Sequence, residues 1–198
     1  MAKKKGTSGP DIFVGTAGKD EYYGLGGDDK IDGVNGNDKL YGQDGNDKIK
    51  GGTGNDKIYG GAGEDNIVGG ADDDTLDGGE NDDVINGANG NDKIYGGLGI
   101  DTMTGGSGAD HFYFKGDETG NFQLGEADEI TDFNGAEGDR IRLRGVNVFD
   151  GNDASPLEGH YGIWKSGSLG WVVTYREDGE YHDIAVGLQN PTGYVYSY

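Results

Sequence analysis

The 198-residue chain contains no cysteine, only three prolines and no long apolar run. Without cysteine, neither a disulfide framework nor a thiolate metal site can form. No stretch approaches the ~20 consecutive apolar residues of a membrane-spanning helix, so membrane insertion is not expected. Apolar residues make up 32% of the chain, too few for an ordinary two-layer core. Bases are scarce as well, with 16 Lys and Arg against 37 Asp and Glu. A net charge of −21 repels nucleic-acid phosphates and anionic membranes, which leaves cations as the natural partners. Catalytic signatures are missing too. His111, His160 and His182 form no HExxH pair, and there is no GxSxG elbow or phosphate-binding loop, so no enzymatic activity is expected.

What the chain has instead is glycine, 43 residues of it, arranged with a period. From Gly15 to Tyr113 one nine-residue phrase is written eleven times without insertion or deletion, as in Gly51-Gly52-Thr53-Gly54-Asn55-Asp56-Lys57-Ile58-Tyr59. A fixed short period signals a solenoid and overrides ordinary helix-or-strand reading. Position six is always aspartate: Asp20, Asp29, Asp38, Asp47, Asp56, Asp65, Asp74, Asp83, Asp92, Asp101 and Asp110. Position eight is always large and apolar: Tyr22, Ile31, Leu40, Ile49, Ile58, Ile67, Leu76, Ile85, Ile94, Met103 and Phe112.

Side chains on a strand alternate faces, so a three-residue strand at positions seven to nine buries position eight and exposes its neighbours. Positions one to six then turn the chain, with glycine at one and four, and often two, supplying left-handed conformations. Turn, strand, turn, strand makes a coil of eighteen residues. Stacked coils form two parallel sheets facing each other across the position-eight side chains.

One apolar side chain per nine residues is a small core for so much ordered backbone. Stacked aspartates would also repel one another. The repeats carry 21 acidic against 7 basic residues. Calcium answers both problems, because it takes six to eight oxygens from carboxylates and carbonyls, the groups a glycine-rich turn with one aspartate offers. Six odd and five even turns on the two sides would sandwich nine ions between same-side neighbours. Metal and fold are then expected to form together.

The phrase GGxGxD-x-apolar-x resembles the nonapeptide of the RTX (repeats-in-toxin) family. The resemblance implies an all-β, right-handed parallel β-roll, a two-sheet solenoid with eighteen residues per coil, here with a C-terminal β capping segment. It implies Ca2+ as ligand, held by the eleven aspartates and turn carbonyls. It also implies secretion by a type I system, without a cleaved N-terminal signal, and folding in extracellular calcium. The chain departs from the pattern at position four, where Asp72 and Asn81 replace glycine.

Residues 1–14 read as a basic leader and N-terminal cap, with Asp11-Ile12-Phe13-Val14 as the capping strand, 15–113 as the calcium roll and 114–198 as the C-terminal cap. Within that cap, Asp128-Glu129-Ile130-Thr131-Asp132-Phe133 and Gly138-Asp139-Arg140-Ile141 resemble motifs that follow the roll in serralysin-type metalloproteases and alginate epimerase R-modules. By that resemblance Asp128 and Asp139, and less strongly Asp117, are candidate calcium ligands. Farther on, Trp171–Arg176 and His182–Val186 flank Glu177-Asp178-Gly179 and read as an antiparallel hairpin whose apolar residues cover the last coil.

Alternate copies share a sheet, so position nine of the odd copies forms one outward row: Tyr23, Tyr41, Tyr59, Asp77, Tyr95 and Tyr113. Beside Lys39, Lys57 and Lys93 it offers a face for an acidic, alginate-like polysaccharide, although tyrosine also simply favours strands and stacks on its neighbours. The expected function is therefore a non-catalytic calcium-binding module of a secreted bacterial protein, with polysaccharide binding as the alternative. An adhesin or ice-binding segment ranks last, because only Thr53-Gly54-Asn55 has the required spacing. A monomer is expected, bound to calcium and to no nucleic acid.

Overall fold

Every position-eight side chain is buried, none more than 4% exposed, and together with Phe13, Ile130, Phe133 and Ile141 they form one core column. The computed structural model describes residues 2–115, 128–133, 137–144, 147–148, 160–166, 170–177, 180–186 and 195–197. Through the repeats the strands are β1 (Ala2–Lys5), β2 (Ile12–Val14), β3 (Asp20–Gly26), β4 (Lys30–Asn35), β5 (Lys39–Asp44), β6 (Lys48–Thr53), β7 (Lys57–Ala62), β8 (Asn66–Ala71), β9 (Thr75–Glu80), β10 (Val84–Asn89), β11 (Lys93–Leu98), β12 (Thr102–Ser107) and β13 (His111–Lys115). Beyond them lie β14 (Glu129–Ile130), β15 (Arg140–Arg144), β16 (Asn147–Val148), β17 (His160–Ser166), β18 (Gly170–Glu177), β19 (Glu180–Val186) and β20 (Val195–Ser197). There is no helix among the described residues.

Odd strands to β15, with β20, make a nine-stranded sheet; even strands, with β17, β18 and β19, make an eleven-stranded one. Within the repeats each strand pairs in parallel with the strand eighteen residues on, so Lys39 stands beside Lys57 and Tyr41 beside Tyr59. The protein is thus the expected all-β, two-sheet parallel solenoid, of about six turns, with ~18 residues in each.

The strands are longer than the three residues that alternation alone suggested. They run six residues, from position seven through position three of the next copy. Positions six, eight and one all face inward, as at Asp56, Ile58 and Gly60. The left-handed residues are at positions two and four, not one: Gly52 has φ 116° and Gly54 φ 105°. Position two holds the left-handed conformation even where it is Leu25, Val34, Gln43 or Ala88. Asp72 and Asn81, both at φ 77°, keep the turn shape without glycine, as short polar side chains can.

At the start of the chain the structure shows order where a leader was expected. Gly6-Thr7-Ser8-Gly9-Pro10-Asp11-Ile12-Phe13-Val14 is a twelfth copy, whose strand β2 sets Phe13 beside Ile31. Before it, β1 pairs with β3 and sets Lys4 beside Tyr22. At the other end the period breaks, yet β14 and β15 continue the two sheets through spacings of 27 and 29 residues. The expected hairpin is present as β18 and β19, with Glu177 opposite Glu180, and β17 precedes it. It joins the roll by backbone pairing of β19 along β14, as an extension of the sheet.

Candidate metal centre

Each aspartate of position six stands at the corner where turn becomes strand, with its side chain directed inward. The eleven predicted aspartates, together with Asp128 and Asp139, are at most 2% exposed. They form two columns. One runs Asp11, Asp29, Asp47, Asp65, Asp83, Asp101, Asp128, and the other Asp20, Asp38, Asp56, Asp74, Asp92, Asp110, Asp139.

One bond repeats along both columns. The backbone N–H of each aspartate donates to Oδ1 of the aspartate one coil later, at 2.7 Å for Asp38 to Asp56 and 3.0 Å for Asp110 to Asp139. Asp128 and Asp139 are therefore brought into the columns, although the sequence between them and the repeats is not periodic. Asp117 lies outside the described residues.

The second carboxylate oxygen is the unusual one. Oδ2 is buried without a hydrogen-bond donor in Asp29, Asp38, Asp47, Asp56, Asp65, Asp74, Asp83, Asp92, Asp101, Asp110 and Asp128. A buried ionised oxygen with no partner is among the costliest groups a fold can hold, and native proteins almost always satisfy such atoms. Eleven in register point to a positive partner supplied from outside the chain.

The surroundings suit a hard cation. Position-one glycine lies beside this oxygen for a reason of space, not of φ. A Cβ on Gly33 would stand 2.6 Å from Asp38 Oδ2 and 2.5 Å from the Gly51 carbonyl oxygen of the next coil. The cradle is thus lined by a carboxylate of one coil and a backbone carbonyl of the next. No group of three or more acidic or histidine side chains converges anywhere among the described residues. A cation here would draw most of its oxygens from the backbone, as calcium does and softer metals do not.

Burial also raises the carboxyl groups, against the opposing effect of the backbone N–H each accepts. Asp47, Asp56 and Asp110 are pushed up to about 7, and Asp74, Asp83 and Asp128 to about 8.

Two further devices hold the turns. Position-five side chains accept the amide of position five in the following coil, as Asp28 does from Asn46 at 3.0 Å and Asp73 from Asn91 at 2.7 Å. Asp132 accepts from the amides of Gly105 at 2.9 Å and Gly106 at 2.7 Å, closing the last regular turn. Asp132 belongs to the motif running from Asp128 to Phe133, where it carries no role of its own. The position-five ladder had a signal, since Asp or Asn recurs there, but it resembled ordinary turn composition.

The tyrosine row is present and interrupted. Tyr23 stacks on Tyr41 at 4.6 Å and Tyr41 on Tyr59 at 4.9 Å, then Asp77 intervenes, and Tyr95 stacks on Tyr113 at 4.5 Å. Stacking on this spacing follows from sheet register alone. It covers both faces of Tyr41, so that ring has none left for a sugar.

Residues 5–117, more than half of the chain, match the family model of the RTX calcium-binding nonapeptide repeat, in overlapping windows at 5–40, 32–67, 41–76, 59–94 and 87–117. The first window takes in the copy at Gly6. No curated protein sequence matches the chain. Among solved structures it is similar to the AlgE6R3 subunit of the Azotobacter vinelandii mannuronan C5-epimerase, at 20% identity and a TM-score of 0.30, over 96% of this chain and 77% of that one. Aspartate columns, glycine cradles and the match across the repeats agree: the chain belongs to the family of RTX calcium-binding nonapeptide repeat proteins.

Proposed function

We propose that this chain is a non-catalytic module of a secreted protein, one that folds when calcium enters its turns. The observation that carries the reading is the set of eleven buried Oδ2 atoms without donors. Calcium would supply the missing positive charge and tie neighbouring coils through shared oxygens. Asp29, Asp38, Asp47, Asp56, Asp65, Asp74, Asp83, Asp92, Asp101, Asp110, Asp128 and Asp139 would hold it, with the position-one glycine carbonyls beside them.

The same chemistry supports an extracellular role. Carboxylates whose repulsion is relieved only by a cation keep the chain open where calcium is scarce and close it where calcium is abundant. Extracellular calcium modules work at ~10⁻⁴–10⁻³ M, which fits a chain exported unfolded by a type I route.

Circular dichroism in calcium and after chelation tests the reading. A β-spectrum with calcium and a coil spectrum without it are expected, with magnesium a poor substitute because it demands a tighter octahedral shell. A folded spectrum in excess chelator would overturn it.

A further inference from the structure

The first turn of each aspartate column is built differently from those that follow. At position two stand Thr7 and Thr16, and neither they nor Gly9 and Gly18 at position four take the left-handed conformation. The series of left-handed residues begins only at Leu25.

In these two turns the carboxylate oxygen that is without a donor from Asp29 to Asp110 and at Asp128 is satisfied. The Thr16 amide donates to Asp20 Oδ2 at 2.6 Å, and its hydroxyl lies 2.9 Å from the same oxygen. The Thr7 amide donates to Asp11 Oδ2 at 2.5 Å, with its hydroxyl at 3.0 Å. Each hydroxyl also accepts from the glycine amide two residues on, at 3.3 Å for Gly18 and 3.2 Å for Gly9. A carboxylate oxygen that already receives an N–H and faces an O–H has little left to offer a cation.

The end of the roll is closed around these turns by charge. Lys4, in register with the core residue Tyr22, sets its ammonium 5.2 Å from the Phe13 ring centroid, over the open end of the core. Lys3 pairs with Glu21 at 3.1 Å on the outer face.

We propose that Thr7 and Thr16 take the place of the cation in the first turn of each column, so that the N-terminal end forms without calcium and the calcium-holding turns begin one coil later. This rests on the reading of the orphaned aspartate oxygens as calcium ligands. Asp20, expected from the repeat to be a ligand, is then a structural acceptor. The end so formed is a template edge: β2 and β3, each following a threonine-closed turn, present oriented strands to which the next coil is added as calcium arrives.

The test counts bound calcium on the full chain by native mass spectrometry, comparing the unaltered protein with Asp20→Asn and Asp56→Asn, two positions of the same column. Asp20→Asn is expected to keep the full number of ions and Asp56→Asn to lose at least one. Loss of an ion in Asp20→Asn overturns the proposal, whereas no loss in Asp56→Asn overturns the calcium reading beneath it.

Hydrogen exchange at limiting calcium supplies the second arm. Amides of β3 are expected to exchange several-fold more slowly than those of β7, with the difference abolished in Thr7→Val plus Thr16→Val while the ion count stays unchanged. Equal exchange of β3 and β7 in the unaltered protein, or a changed ion count in the double variant, rejects the threonine seal.

Discussion

Adjacent residues at the head of each repeat face opposite demands, and Gly33 and Val34 show it most plainly. Gly33 is glycine because a methyl group there would collide with Asp38 Oδ2 and the Gly51 carbonyl. Val34 occupies a left-handed position at φ 78° that a β-branched residue adopts only under strain. Gly33→Ala is therefore expected to raise the calcium concentration at the folding midpoint several-fold. Val34→Gly should lower it, because relief of a ~1–3 kcal/mol strain exceeds the ~0.4–1 kcal/mol of added chain entropy in the unfolded state. Calcium titrations followed by circular dichroism check both, and shifts in the same direction would refute the distinction. Position six and position eight were legible in the sequence because alternation makes their faces unambiguous. The twelfth copy was less so: Gly6, Gly9, Asp11 and Phe13 follow the pattern, but it stands directly after the basic Lys3-Lys4-Lys5 and with Thr7 where glycine is frequent.

Among the elements, the strands of the nine-stranded sheet differ from their counterparts in carrying stacked aromatic rings on the outside. Each Tyr pair on adjacent strands is worth up to ~1 kcal/mol relative to alanine. Tyr41→Ala combined with Tyr59→Ala is expected to lower stability by about 1–2 kcal/mol in saturating calcium, since it removes the Tyr23–Tyr41 and Tyr41–Tyr59 contacts. Denaturant unfolding measures this, and no change would mean that the stacking is incidental. Strand β1 could not be read from the sequence. Ala2-Lys3-Lys4-Lys5 has no apolar alternation, and it is a strand because the edge of β3 offers unpaired backbone groups to it. Conversely, the segments of β14 and β15 were legible only as local motifs with candidate ligands, since their spacings of 27 and 29 residues fall outside the period.

For the whole molecule, charge and protonation set the conditions under which it folds. In the metal-free protein the eleven aspartates with an orphaned oxygen are raised by burial from 3.8, to about 6 at Asp65, Asp92 and Asp101 and to about 8 at Asp74 and Asp83. A carboxyl raised on folding binds its proton more tightly in the folded state, so its stabilisation is full below the unfolded value and is lost as pH rises through the folded one. Protons should therefore partly replace calcium. The calcium-free chain is expected to hold more β-structure at pH 5 than at pH 8, and its calcium midpoint in the presence of the ion should rise as pH falls below about 7, where protons and calcium compete for the same oxygens. Circular dichroism of the metal-depleted chain across this range checks the sign, and greater order at pH 8 would contradict it.

The constant register of eighteen residues between neighbouring strands also makes the roll a ruler graduated in whole coils. Excision of residues 42–59 would join Tyr41 to Gly60 and leave every downstream strand in its own sheet, facing a partner of the same kind. Excision of nine residues preserves the repeat just as well on paper but exchanges the two sheets from the cut onward. Lysines and tyrosines of one face would continue into the Asn and Thr of the other, and β14 and β15 would each arrive at the wrong edge. Length in this protein can change freely only by two repeats at a time.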